Sequence, residues 1–347
     1  MVARSMAVPG ILAACTLSLT ACCNMGPAQH PVRPRPSVSL KLPATVTAIA
    51  VSGRAGLCAV ATNDSRCLVY STRGTVLRRS INLAVGRIAW GAAFSPGGHT
   101  LALAVGTRKG TKGARGLALY GVKSGWLKWA IRPAGRIRPT PEVAAAQDGN
   151  VIAFYAFPML VVARLHPYVV LLRKFVGVHC SRWLLRVSAH GRYILINANT
   201  IFFSRGGRWS NLQKISLHDG DAASAMVAGR VGLTVSSGTE CYLGASIPMI
   251  LFKYDMPAGR LSWQRRLLGY RPSFLYVLGS APGGKVLLGS QYGGASLYAS
   301  HGRELAHFGP FFGGNRVCSA LGPGILAIGS RRRIKFWHAP FSFQRSR

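Results

Sequence analysis

The sequence predicts an all-β fold made by repeating one four-stranded antiparallel unit, and three observations carry that prediction. Hydrophobic residues make up 49% of the 347-residue chain, yet beyond the N-terminus no long stretch has helical periodicity. Glycine, 41 residues in all, falls between short apolar runs, where turns belong. One phrase also recurs along the chain, and it is clearest between Phe94 and Trp129. There the turn Phe94-Ser95-Pro96-Gly97-Gly98-His99 leads into the apolar run Thr100–Val105. A basic loop follows, then Gly116-Leu117-Ala118-Leu119-Tyr120, then a strand entered through Gly125-Trp126-Leu127-Lys128-Trp129.

Seven such units follow from about Ser37 onward. Their first turns are Ser52-Gly53-Arg54-Ala55-Gly56, Ser95–His99, Gln147-Asp148-Gly149-Asn150, Ser188-Ala189-His190-Gly191, Ala228-Gly229-Arg230, Ala281-Pro282-Gly283-Gly284 and Leu321-Gly322-Pro323-Gly324. They lie about 38 to 55 residues apart, the spacing of four-stranded propeller blades. The expected fold is therefore a seven-bladed β-propeller occupying residues 37–347. Second strands such as Leu57–Thr62, Leu101–Gly106, Val151–Ala156 and Ile325–Ser330 are rich in small and β-branched residues, which suits burial on both faces. Third strands are expected at Cys67–Ser71, Leu117–Gly121, Val169–Arg173, Thr200–Ser204, Ile250–Tyr254, Ser296–Ser300 and Ile334–His338. After Ile334–His338 little chain is left for a fourth strand. Ser37-Val38-Ser39-Leu40-Lys41-Leu42 alternates as an edge strand does, so residues 37–42 are expected to complete the last blade and close the ring.

The N-terminus reads as an address. Arg4 precedes an apolar segment from Ala7 to Leu19, too short to span a bilayer comfortably, and small residues follow. Leu19-Thr20-Ala21-Cys22 resembles the lipobox of bacterial lipoproteins. The resemblance implies a signal peptide at residues 1–21, lipidation of Cys22 and export to the cell envelope. Cys23 stands where an aspartate would favour the inner membrane, which implies the periplasmic side of the outer membrane in a diderm cell. Residues 22–36, with Pro27, Pro31, Pro34 and Pro36 around Arg33 and Arg35, are expected to form an extended tether that does not pack.

Two further resemblances concern the repeats. Gly125-Trp126-Leu127-Lys128-Trp129 and Gly259-Arg260-Leu261-Ser262-Trp263 are similar to the turn-then-tryptophan of pyrroloquinoline-quinone-type repeats. Ile328-Gly329-Ser330 through Ile334-Lys335-Phe336-Trp337-His338 resembles the end of a WD repeat. In both families the tryptophans dock one blade on the next, which implies packing roles for Trp129, Trp209, Trp263 and Trp337.

Chemistry is sparse. The chain has only eight acidic residues, and Asp219-Gly220-Asp221 is their one close pair. With His218 it could take a cation, but a turn between blades explains it as well. Quinoprotein dehydrogenases need acids to hold calcium and act as base, and no such set can be placed. The histidines show no HExxH pattern or paired metal spacing, and Gly106–Gly113 lacks P-loop spacing and a following helix. No metal and no cofactor is expected. Six cysteines remain besides Cys15 and Cys22, and Cys58 and Cys67, on facing strands of one hairpin, are the expected disulfide.

Charge is the strongest compositional signal: 43 Lys+Arg against 8 Asp+Glu, net +35. It fits an anionic partner, and it equally fits an arginine-rich proteome or an acidic medium in which few carboxylates remain to titrate. In a propeller all second-to-third-strand loops share one face. Arg66, Lys109, Lys112, Arg115, Arg164, Arg331, Arg332 and Arg333 are therefore expected to form one basic rim, either an anion-binding surface or solvated loop tips.

The function that follows is a non-catalytic envelope lipoprotein that binds other envelope proteins through a propeller face. In architecture and anchoring it is similar to the propeller lipoprotein of the outer-membrane barrel assembly machinery. One alternative is an enzyme using the central funnel, a quinoprotein-like oxidoreductase or a lyase. Another is a cationic surface for anionic polymer or lipid headgroups; nucleic acid is not the expected partner.

Overall fold

The computed structural model describes residues 31–73, 76–107, 116–132, 141–146, 150–156, 158–176, 185–187, 191, 193–196, 200–205, 208–214, 222–223, 233–238, 250–255, 260–266, 275–281, 285–290, 294–299, 301–309, 317–322 and 324–338. Between residues 195 and 277 it describes the backbone alone. Every regular element among these residues is a strand.

The strands form seven four-stranded antiparallel sheets. A lone strand, β1 (Val38–Lys41), comes first. The first sheet then follows as β2 (Val46–Ser52), β3 (Leu57–Thr62), β4 (Arg66–Ser71) and β5 (Leu77–Asn82). The second is β6 (Arg87–Phe94), β7 (Thr100–Thr107), β8 (Gly116–Gly121) and β9 (Leu127–Ile131). The third is β10 (Glu142–Ala145), β11 (Val151–Ala156), β12 (Met159–Leu165) and β13 (Tyr168–Phe175). The fourth contains β14 (Leu185–Val187), β15 (Tyr193–Ile196), β16 (Thr200–Arg205) and β17 (Arg208–Lys214). The fifth contains β18 (Ala222–Ala223), β19 (Leu233–Gly238), β20 (Ile250–Asp255) and β21 (Arg260–Arg266). The sixth is β22 (Leu275–Ala281), β23 (Lys285–Ser290), β24 (Gly294–Tyr298) and β25 (Glu304–Phe308). The last sheet holds β26 (Val317–Gly322), β27 (Ile325–Ser330) and β28 (Arg333–His338), and its fourth strand is β1. β1 lies antiparallel to β28, with Val38 opposite Phe336 and Lys41 opposite Arg333.

Each sheet meanders, so its strands pair in chain order and its hairpins alternate between two ends. The core sits between sheets. Along β3, Cys58 and Val60 pack with Tyr70, Ile334 and Phe336 on one side, while Ala59 and Ala61 pack with Leu101 and Leu103 on the other. A strand buried on both faces cannot show the apolar–polar alternation of a half-exposed one, which is why Leu57–Thr62 reads as a plain apolar run. Alanines in the middle strands let neighbouring sheets approach closely. First strands also lie side by side: β2 between β26 and β6, β10 beside β6 and β14, and β22 beside β26. At one such approach Gly98 adopts φ +72°, and a Cβ there would collide with Ala55 of the first sheet's turn.

Aromatic side chains join neighbouring sheets through their third and fourth strands. Trp129 of β9 stacks on Tyr168 of β13, with centroids 5.7 Å apart and planes at 20°. Trp337 of β28 is buried edge-on against Phe308 of β25, with centroids 5.8 Å apart and planes at 84°. Its indole Nε1 donates to the Pro34 carbonyl at 3.1 Å. Trp209 and Trp263 lie on β17 and β21, and their side chains fall outside the described residues.

Two expectations need correction. Val169–Arg173 is not a third strand; it belongs to β13, the fourth of its sheet, and the third is Met159–Leu165. The turn between β11 and β12 contains Pro158 and no glycine, so the apolar run through it hides the break. The described end of the tether also packs. Val32 bridges Ala306 in parallel, donating to the Leu305 carbonyl at 3.0 Å and accepting from the His307 amide at 2.8 Å. A proline-rich segment still has free amides and carbonyls at its other residues, and the outer strand β25 has an open edge for them.

Candidate functional site

The basic rim can be built up from its hairpins. Thr62 pairs with Arg66, leaving a three-residue loop in which Ser65 has φ 65°, and Ser330 pairs with Arg333 across two residues, with Arg331 at φ 50°. Both are hairpin geometries that need a left-handed residue, and here neither uses glycine. The segment before β2 ties the two loops together. Asn63 donates from its amide to the Thr45 carbonyl at 2.9 Å and accepts the Thr45 amide on Oδ1 at 3.1 Å. The Val46 and Leu42 amides donate to the carbonyls of Arg331 and Arg332 at 2.7 and 2.8 Å. The loops carrying Arg66 and Arg331–Arg333 therefore share one end of neighbouring sheets, although they are far apart in sequence.

Within that end the arginines are not equivalent. Arg66 donates through Nε at 2.8 Å, and through Nη2, to Asp64 Oδ2, while the Thr62 hydroxyl donates to Oδ1 at 2.6 Å. Partial burial pushes the Asp64 carboxyl upward. The hydrogen bonds from Arg66 and Thr62 outweigh that, and its pKa lies below the ordinary carboxylate value. Arg66 is thus committed to a neighbour and clamps its own hairpin. Arg331, Arg332 and Arg333 are exposed. Lys41, which the sequence reading did not place here, is exposed directly opposite Arg333. Lys109, Lys112 and Arg115 lie outside the described residues.

Arg164 does not belong to this rim. It pairs with Val151 and Val169, next to the hairpin between β12 and β13, so it points the opposite way along its sheet from the loop at 157–158. The expected position followed from the strand misassignment above: with a strand at Val169–Arg173 taken as third, Arg164 seemed to sit in a second-to-third-strand loop.

The expected disulfide is also corrected. Cys58 pairs with Tyr70 and Cys67 with Ala61, an offset of three residues that sends the two side chains to opposite faces of the sheet. Cys58 packs toward the last sheet and Cys67 toward the second. Both are free thiols, and burial raises both pKa values, that of Cys67 to about 12. Such thiols are chemically inert.

One buried polar group went unnoticed in the sequence. Ser296 Oγ lies 2.9 Å from His307 Nδ1, and Glu304 Oε1 lies 3.5 Å from the same nitrogen. Serine and glutamate thus meet one ring nitrogen rather than opposite ones, so the trio lacks the arrangement of a nucleophile relay. Its signal was the cross-strand pairing of Ser296 with His307, invisible without the register. Among the described residues, no group of three or more His, Cys, Asp or Glu side chains is placed to hold a metal ion. Asp219, Asp221 and His218 lie outside them.

No protein-family model matches the chain, and no curated protein matches it. Solved structures do. A chain in the crystal structure of the mitotic checkpoint complex is similar over 91% of this chain and 98% of that one, at 12% identity and a TM-score of 0.66. Matching solved chains number 1360, so the likeness speaks for a widely used shape and for nothing finer. The four-stranded sheets and this likeness together define the class: the chain has a WD40-like β-propeller fold.

Proposed function

We propose that this protein is a non-catalytic binding scaffold of the cell envelope: residues 1–21 are a signal peptide, Cys22 carries lipid, and residues 37–347 form a closed seven-bladed propeller. The observation that carries the scaffold reading is the fold, a stack of sheets with hairpins gathered at their ends, similar to a chain that works within a multi-protein complex. Pairing of β1 with β28 supports closure, because it fastens the first ordered strand to the last sheet. Crosslinking in intact membranes followed by pull-down tests the reading, with the native chain compared to Cys22→Ala. Partners captured by the native chain and lost with Cys22→Ala support it. Cofactor absorbance or substrate turnover in the purified protein overturns it in favour of a funnel enzyme.

A second reading, polyanion binding at the Arg331–Arg333 rim, has one observation in its favour. Lys41 and Arg333 are cross-strand partners of like charge, and Lys335 lies two positions further along β28. Like charges directly opposite destabilise a sheet, and a bound anion relieves that repulsion. Replacing all three arginines with glutamine should weaken salt-sensitive polyanion retention; unchanged retention removes the idea.

A further inference from the structure

Contiguous apolar side chains on a protein's outside mark a surface that something covers in use. Among the described residues, two adjacent outer strands open with such a pair. Val76 and Leu77, 53% and 50% exposed, lead into β5, and Trp126 and Leu127, 77% and 55% exposed, lead into β9. The two hairpins touch: Arg79 Nη2 donates to the Lys123 carbonyl at 2.6 Å, and the arginine stem lies over Gly125.

The two sheets repeat the same local device. Leu77 stands opposite Tyr70 and Leu127 opposite Tyr120, and in each case the register then slips by one residue. The extra residues are Arg78 and Lys128, both exposed. A bulge of this kind bends the strand and turns a side chain out of the ladder. Arg73 and Lys123 are exposed in the same hairpins. The carboxylates whose side chains are described lie elsewhere: Asp64 is held by Arg66 at the other end of the first sheet, and Glu142 and Glu304 are buried. The patch thus combines an exposed indole, aliphatic side chains and long cationic stems.

That combination matches one surface chemistry. An indole and leucines enter the boundary of acyl chains and headgroups, while Lys and Arg keep their charges level with the phosphates. We infer that the β5 and β9 hairpins dock this protein on an anionic lipid bilayer, with Trp126 and Leu127 inserted and Arg73, Arg78, Lys123 and Lys128 against the headgroup phosphates. This contact does not depend on the proposed lipidation of Cys22.

The test uses the full chain carrying Cys22→Ala, so that a failed lipid-anchor reading and a failed docking reading stay distinguishable. Sedimentation with vesicles of phosphatidylglycerol and phosphatidylcholine in equal parts is compared with phosphatidylcholine alone. A chain of net charge +35 has some affinity for any anionic vesicle, so the variants decide. Trp126→Ser should weaken binding about tenfold, the loss of one inserted aromatic, and Trp126→Tyr should restore most of it. Lys123→Gln and Lys128→Gln should each weaken it about fivefold. Arg332→Gln with Arg333→Gln, at the opposite end, should leave it unchanged. Circular dichroism identifies any variant that has not folded, and Leu127→Gln then replaces it. The inference is overturned if the hairpin variants bind like the parent, if the Arg332 and Arg333 pair carries the affinity, or if anionic vesicles are not bound. Either of the first two outcomes with binding intact places the lipid contact elsewhere.

Discussion

Asp64 shows how a single residue is used in a chain with so few acids. Its carboxylate closes a glycine-free hairpin by accepting from Thr62 and Arg66, so its folded pKa lies below the unfolded value. A depressed carboxyl contributes stability above the unfolded pKa and loses it as pH falls through the folded one. Asp64→Asn should therefore lower Tm at neutral pH, and the difference should shrink as pH falls below about 4, the ordinary carboxylate value, and be lost as it passes through the lower folded pKa; thermal melts over the acid range check it. Cys58 and Cys67 make an opposite point. Hairpin neighbours in sequence terms, they point to different inter-sheet layers because a three-residue loop sets the register. Both should resist alkylation in native buffer and react once denatured; a Cys58–Cys67 disulfide found by peptide mapping contradicts the register. No sequence rule distinguishes this loop from a two-residue one, since Ser65 rather than glycine takes the left-handed position.

At the scale of the element, most strands were legible from the turns that bound them, and the third strand of the third sheet was the exception. No glycine marks the turn after Ala156, so Met159–Leu165 fell inside the expected loop, and the displaced third strand took Arg164 with it. Edges were the other blind spot. β25 offers unpaired backbone groups to Val32, and that match depends on which strand lies outermost. Two predictions belong here. Trp337→Ala removes a buried indole wedged against Phe308 and should cost about 3–5 kcal/mol in denaturant unfolding. Deleting residues 37–42 should do more than subtract one strand, because it uncovers the edge of β28, whose buried Ile334 and Phe336 lose Val38 and Leu40 as neighbours. Lower Tm together with concentration-dependent thioflavin binding is the expected outcome.

Across the whole molecule, the described cores lie between sheets rather than within them, so damage at one boundary is passed to the next. With β1 paired to β28, calorimetry should record one cooperative transition, and removal of 37–42 should broaden it as the last sheet melts early. Net charge of +35 opposes compactness through self-repulsion, so raising salt from about 50 to about 500 mM should raise Tm, contrary to a protein held by ion pairs. The sequence alone determined the all-β class, the recurrence of a four-stranded unit and the burial of middle strands on both faces. These rest on turn chemistry and apolar runs, which act between residues close in the chain. Only the tertiary structure decided which face each cysteine takes, which arginines share an end, where the proline-rich segment rests, and that Trp126 stays outside while Trp129 packs. Those outcomes depend on register and on which sheets become neighbours, and both are fixed by contacts between residues far apart in the chain.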